Sequence, residues 1–147
     1  MPRVILAGDV GGTKTRLALF EPGSHARTPL LERRLESRAY PTLEALVSDF
    51  LAGATAPPRR AVFGIAGPVV DGRVDATNLP WRADAAALAA ALGIAEVRLM
   101  NDLESTAWGL SLLTPAEVEV LQPGLPATGN RALFAAGTGL GEAVLVW

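Results

Sequence analysis

The sequence has no cysteine, one histidine and one tyrosine, and Lys14 is its sole lysine. Without thiols there is neither a disulfide framework nor a thiolate metal site, which fits a reducing compartment. His25 sits in a polar loop with no companion ligand and is given no role. A strong charge imbalance is also missing: the formal net charge is −2 and the isoelectric point about 5.4, where a nucleic-acid-binding domain is usually strongly basic. Long apolar runs are absent too. The longest candidate, residues 132–147, is broken by Thr138, Glu142 and three glycines, and falls short of the roughly 18 uninterrupted apolar residues that cross a bilayer. The opening Met1-Pro2-Arg3-Val4 enters a strand at once and carries no signal-peptide apolar core. These absences set the expectation of a cytoplasmic protein that binds neither nucleic acid nor membrane.

What the chain does have is apolar residues in short, patterned runs. Half of its 147 residues are hydrophobic and the mean hydropathy is +0.29, enough for one packed core and contrary to disorder. Val4-Ile5-Leu6-Ala7 and Leu17-Ala18-Leu19-Phe20 flank a Gly-Gly turn and read as a β-hairpin. Residues 30–39 supply a third strand. Pro41-Thr42 opens a helix to about Leu51, with Leu43, Leu46, Val47, Phe50 and Leu51 on one face. Residues 61–66 make a buried-type strand, and residues 69–74 a hairpin around Asp71-Gly72. An alanine-rich helix over 84–92 is closed by Gly93. The strand over 97–100 runs through Asn101-Asp102 into a helix reaching about Leu113. Beyond an irregular stretch, strands over 131–136 and 143–147 bracket a second glycine turn. Hairpins followed by strand–helix alternation imply an α/β domain with a mixed sheet.

Three segments carry candidate chemistry. Gly8-Asp9-Val10-Gly11-Gly12-Thr13-Lys14-Thr15 sets a carboxylate and a glycine turn between two strands. Glycines let backbone N–H groups converge on phosphate oxygens, hydroxyls add donors, and a carboxylate can hold Mg²⁺ directly or through water. A tight turn with polar residues facing water would look the same locally. The pattern is neither a P-loop nor a dinucleotide fingerprint, because the glycines lead into a strand. Asn101-Asp102 stands at the C-terminal end of a strand, where open α/β sheets bind ligands. Asp102 can take a proton from a substrate hydroxyl that Asn101 orients, and Asn101-Asp102-Leu103-Glu104 can equally cap the helix that follows. Gly137-Thr138-Gly139-Leu140-Gly141 can clasp phosphates or simply close a hairpin. A weaker fourth candidate is Thr77-Asn78-Leu79-Pro80-Trp81, a proline-fixed loop in which Asn78 offers a polyol both a donor and an acceptor.

In order along the chain, Leu6-Ala7-Gly8-Asp9-Val10-Gly11-Gly12-Thr13-Lys14-Thr15-Arg16-Leu17-Ala18-Leu19-Phe20, Gly64-Ile65-Ala66-Gly67-Pro68, Thr77-Asn78-Leu79-Pro80-Trp81, Asn101-Asp102-Leu103-Glu104 and Gly137-Thr138-Gly139-Leu140-Gly141 resemble the bacterial glucokinases, a family of the sugar kinase and actin-like ATPase superfamily. The resemblance covers essentially the whole chain. It implies an α/β fold: a ribonuclease-H-like (actin-like ATPase) domain with a mixed five-stranded sheet and flanking helices over residues 1–112, then the first strands of a second, truncated domain over 113–147. It also implies transfer of the γ-phosphoryl of ATP to the 6-hydroxyl of glucose, with Mg²⁺. On that pattern Asp102 is the catalytic base, and Asn101, Asp102 and Asn78 hold the sugar. Asp9 organises the Mg²⁺, and Gly8, Asp9, Val10, Gly11, Gly12 and Thr13 bind the nucleotide together with Gly137, Thr138 and Gly139.

Family members continue past the second glycine turn into a Glu-Gly-Gly-His segment whose Glu and His bind the sugar. Most of the second domain, with the adenosine pocket, follows it. This sequence has no such segment. The chain is therefore expected to be an N-terminal fragment, inactive alone, with a homodimer or a complementing C-terminal half as protein partner. Its last apolar strand, an open sticky edge unless tucked into the sheet, agrees with truncation. A non-catalytic phosphate- or partner-binding module and a kinase for another hexose are the rival expectations, and the donor is ATP or polyphosphate.

Overall fold

The computed structural model describes residues 4–23, 27–125, 127–136 and 140–146. The chain divides into two compact units, one ending at Asp102 and the other beginning at Leu103.

The first unit is built on a five-stranded mixed sheet. Its strands are β1 (Ile5–Val10), β2 (Lys14–Phe20), β3 (Leu31–Glu36), β4 (Arg60–Ile65) and β7 (Glu96–Asn101), in the order β3-β2-β1-β4-β7. β1, β2 and β3 form an antiparallel meander, while β1, β4 and β7 run parallel. Parallel strands need long crossovers, and helix α1 (Leu43–Leu51) and helix α2 (Ala85–Leu92) lie in the two connections. Each helix is fixed by its ends. Thr42 Oγ1 accepts from the Ala45 N–H at 3.2 Å, and Asp84 Oδ1 accepts from Ala86 and Ala87 at 2.9 and 3.0 Å. Gly93, at φ 65°, closes α2 in the left-handed cap expected of it.

Both helices lay their apolar sides on one face of the sheet. Leu43, Leu46, Val47 and Phe50 of α1 and Leu88 of α2 join Leu6, Leu17, Phe63 and Ile65 in a single core. The helical spacing read from the sequence for α1 is thus the buried face. A small hairpin, β5 (Arg73–Asp75) with β6 (Arg82–Asp84), stands beside this core and buries Val74, Trp81 and Ala83. The Asp71-Gly72 turn before it is formed as expected, with both residues at positive φ.

Four boundaries differ from the sequence expectation. The third strand stops at Glu36: the Ser37 N–H adds one further bond across the pair, to Thr13 O at 2.9 Å, and residues 37–39 then tighten into a 3-10 turn. Helix α3 spans Asp102–Gly109 only, and Leu110–Leu112 continue as a 3-10 turn; glycine is a poor helix former. In the second unit β8 (Arg131–Ala136) pairs antiparallel with β9 (Leu140–Leu145), so Leu140 and Gly141 belong to a strand and not to the turn expected there. Strand β6 was not expected at all; three residues are too few to show alternation.

No residue of the described part of the second unit is buried. Leu121 and Leu125 are more than nine-tenths exposed, and Phe134 and Val144 about two-thirds. A two-stranded hairpin by itself is at best marginally stable in water. Among the described residues no helix is long and apolar enough to cross a membrane.

The Asp84 carboxyl is held below the usual carboxylate range, first by the Arg73 side chain, whose Nε donates at 2.6 Å, and then by the N–H groups of Ala87 and Ala86. A depressed folded-state pKa stabilises the fold while the group is ionised, and that contribution is lost as pH falls through it. The melting temperature should therefore fall as pH drops from about 5 to below the ordinary carboxylate value of about 3.9. In Asp84→Asn, which keeps a cap but not the charge, the fall should be shallower; thermal melts of both proteins across that range check it.

Candidate functional site

The register of the parallel strands decides what can meet. Val10 of β1, Ile65 of β4 and Asn101 of β7 are direct neighbours, so the chain leaves all three strands at one edge of the sheet. Strands in a sheet are about 4.8 Å apart, which puts the ends of β1 and β7 roughly 10 Å from each other. That distance suits one small ligand, and such edges are where open α/β sheets bind them.

From the end of β1 the chain makes the turn Gly11-Gly12-Thr13 and returns in β2. The Gly11 N–H closes the turn on Lys14 O at 3.1 Å. Among the described residues, the N–H groups of Gly12 and Thr13 have no acceptor, so they are donors available to an anion. Asp9, the penultimate residue of β1, is exposed and faces Arg16 across the strand pair. The Arg16 guanidinium is engaged elsewhere, its Nε 2.6 Å from Glu32 Oε1. That hydrogen bond is the main reason Arg16 is held above its ordinary pKa, with Asp9 contributing, and Glu32 is held below its own by the same bond. Lys14, on the far side of the turn, pairs with Glu36 at 3.6 Å.

The loop after β4 connects the other segments. Ala66 O accepts from both the N–H and the hydroxyl of Thr77, at 3.1 and 3.2 Å, and Gly67 O accepts from Asn101 Nδ2 at 3.0 Å. The Thr77–Trp81 loop then leans on the first turn. A Cβ built on Gly12 would lie 2.5 Å from Asn78 Cβ, so only glycine permits this approach. Asn78 is exposed and lies on the rim of a cavity of about 560 Å³ shared with Arg38, Tyr40 and Trp81. The Trp81 ring is buried, its Nε1 donating to Tyr40 O at 3.2 Å, so this aromatic packs. The Tyr40 hydroxyl in turn bonds Asp49 at 2.8 Å, which raises its pKa.

Of the sequence candidates, the structure brings Asp9, Gly11, Gly12, Thr13, Asn78, Asn101 and Asp102 to one edge, with Gly8 and Val10 in the strand below them. Asn101 and Asp102 are both half-buried. Gly137, Thr138 and Gly139, like His25, lie outside the described residues. One hydroxyl behaves differently from expectation. Thr15 is wholly buried and bonds Ser37 Oγ at 2.9 Å, so it supports the turn from behind and offers nothing to a ligand. Ser37 was missed, and Ala66 and Gly67, part of a segment that carries the resemblance, were given no role. Ser37 stands in an unremarkable polar stretch, and a backbone carbonyl has no sequence signature.

Comparison with known proteins comes down on one family. The glucokinase family model matches residues 6–147. The glucokinase of Nostoc punctiforme is 38% identical over 146 residues, covering 97% of this chain and 43% of its own length. Among solved structures, a glucokinase from an Antarctic psychrotroph superposes with a TM-score of 0.86 at 27% identity, over 99% of this chain and 47% of that one. The glucokinase of Balamuthia mandrillaris, solved in complex with glucose, gives a TM-score of 0.71 at 26% identity, over 99% and 45%. The chain thus spans less than half the length of each of these three relatives.

The contact between Gly12 and Asn78 can be tested directly. Gly12→Val should push the 76–81 loop off the turn and cost about 1–3 kcal/mol, the usual penalty of overpacking. Denaturant unfolding gives the cost, and amide chemical shifts of residues 76–79 and 81 report the displacement.

Proposed function

The chain belongs to the glucokinase family, and on that premise we propose that it forms the phosphate-binding and catalytic-base half of a kinase that transfers the γ-phosphoryl group of ATP to the 6-hydroxyl of glucose. The observation that carries this is the common edge of β1, β4 and β7, where a glycine turn with unpartnered N–H groups and a strand-end Asn-Asp pair converge. Phosphoryl transfer asks a protein mainly to position groups and to neutralise charge. The residues at this edge are of the right kinds for both.

Each residue has a definite part in the proposal. Asp102 accepts the proton of the 6-hydroxyl as that oxygen attacks phosphorus. Asn101, held through its Nδ2 by Gly67 O, is fixed in place to orient the sugar. Asn78 supplies a further hydrogen bond to the polyol. The backbone of Gly11, Gly12 and Thr13 receives the phosphates, on the strand platform of Gly8, Asp9 and Val10. Among the described residues no three ligating side chains cluster, so a metal here must take most of its ligands from phosphate and water, as Mg²⁺ does, with Asp9 as the protein carboxylate. Mg²⁺ bound in this way neutralises charge on the phosphates. Gly137, Thr138 and Gly139 enter as a second phosphate turn through the family pattern alone.

The exposed apolar side chains of the second unit, Phe134, Leu140 and Val144 among them, suit a domain whose remaining layers come from elsewhere. We assign residues 113–147 to the start of a second domain that a complementing C-terminal half completes. The work of the complete protein is cytoplasmic glucose phosphorylation at the head of glycolysis.

A coupled assay for glucose 6-phosphate tests the proposal. The 147-residue chain alone should show no turnover, and mixing it with the C-terminal half of a relative should restore some. In the restored enzyme Asp102→Asn should lower kcat by about 10²–10⁴-fold, the range for loss of a general base. An unchanged kcat would remove Asp102 from the chemistry.

A further inference from the structure

The first turn carries two glycines in succession, and a peptide between two glycines can flip at little steric cost. A flipped Gly11–Gly12 peptide would present a carbonyl where an anion needs an N–H. Something must hold the orientation, and the structure supplies it from a distant residue. Ser37 is wholly buried, and its Oγ donates to Gly11 O at 2.7 Å. Its hydrogen being used there, the same oxygen accepts from the buried Thr15 hydroxyl, 2.9 Å away. The Ser37 N–H donates to Thr13 O at 2.9 Å. One residue thus binds carbonyls on both sides of Gly12, and no buried side-chain polar atom in the described residues is left without a partner.

The consequence follows from peptide geometry. In a trans peptide the C=O and the next N–H point in opposite directions, and there is no cis bond among the described residues. With Gly11 O drawn inward to Ser37, the Gly12 N–H must point away from the core, toward the open side of the turn. A flip would take the acceptor away from the buried Ser37 hydroxyl, a cost comparable to losing one buried hydrogen bond.

We propose that Ser37 is a positioning residue that locks the Gly11–Gly12 peptide with its N–H outward, making the turn an anion site, with Thr15 as the support that orients the serine. The anion assignment rests on the kinase reading above; the lock itself does not. Ser37 touches no substrate. Its effect should appear in the dynamics of the turn and in triphosphate affinity.

The test uses the 147-residue chain, Ser37→Ala and the near-isosteric Thr15→Val, with amide hydrogen exchange read by NMR. In Ser37→Ala the Gly11 amide, whose bond to Lys14 O closes the turn, should exchange about tenfold faster than in the parent as the turn loosens, and the signal of the Gly12 amide, the N–H of the locked peptide, should shift or broaden. The amides of Phe63 and Leu88 should keep their rates, and Thr15→Val should raise Gly11 exchange by a smaller factor. Binding of inorganic triphosphate with Mg²⁺, by calorimetry, should weaken about tenfold in Ser37→Ala. Unchanged Gly11 exchange with an unmoved Gly12 amide signal overturns the lock, and undiminished triphosphate binding overturns the claim that the lock makes the turn an anion site. If Ser37→Ala fails to fold, Thr15→Val decides: faster Gly11 exchange supports the lock and an unaltered rate overturns it. A parent chain that binds no triphosphate while exchange responds as stated supports the lock and removes the kinase reading instead.

Discussion

Strand β1 is hydrogen-bonded along both edges, antiparallel to β2 on one side and parallel to β4 on the other. Every feature of the site inherits its position from that double pairing. The antiparallel partner brings the chain straight back, which makes the glycine turn. The parallel partner starts its exit loop at the same height, and β7 repeats the step once more. The pairing is tight enough that a Cβ at Gly8 would run into the Phe63 ring, so the core face of β1 gives up a side chain to let the neighbouring strand's phenyl ring fill the space. Slipping β1 by one residue would exchange its buried face for its exposed one. Asp9 would then point into the core and Val10 into water.

The site is assembled mainly from backbone groups. Carbonyls of Gly11, Thr13, Ala66 and Gly67 each receive a hydrogen bond from a residue far away in sequence, and those bonds tie the turn, the Asn78 loop and Asn101 into one edge. Carbonyls held in this way fix the peptide planes, and fixed planes fix the N–H groups that face a ligand. For the proposed kinase this would be preorganisation, the main means by which phosphoryl transfer is accelerated. The surface ion pairs, Arg16 with Glu32 or Arg60 with Glu96, are mostly exposed and secure strand edges far more than chemistry.

The two units differ in how well the chain meets its own needs. The first encloses a continuous core. The second exposes Leu121, Leu125, Phe134 and Val144 and buries nothing among its described residues. An apolar surface of that kind is a binding surface by composition. It accords with a chain that covers 43% of the Nostoc punctiforme relative and 47% of the psychrotroph one.

Much of the fold was legible in the amino-acid order because its determinants are local. The spacing of Leu43, Leu46, Val47 and Phe50, the Asp84 cap and the Gly93 stop are each set within a few residues. The glycine turn and the strand-end Asn101-Asp102 were recognisable for the same reason: each is a short run with its own backbone preference. What the sequence could not reveal was which loops touch. That Gly12 must be glycine because Asn78 lies against it, that Thr15 turns inward, and that Ser37 holds the peptide ahead of Gly12 all depend on contacts across 20 to 70 positions. The sequence by itself determined the elements and the chemistry available at their ends. Only the tertiary structure decided which of those ends meet, because strand register is a cooperative property of the whole sheet.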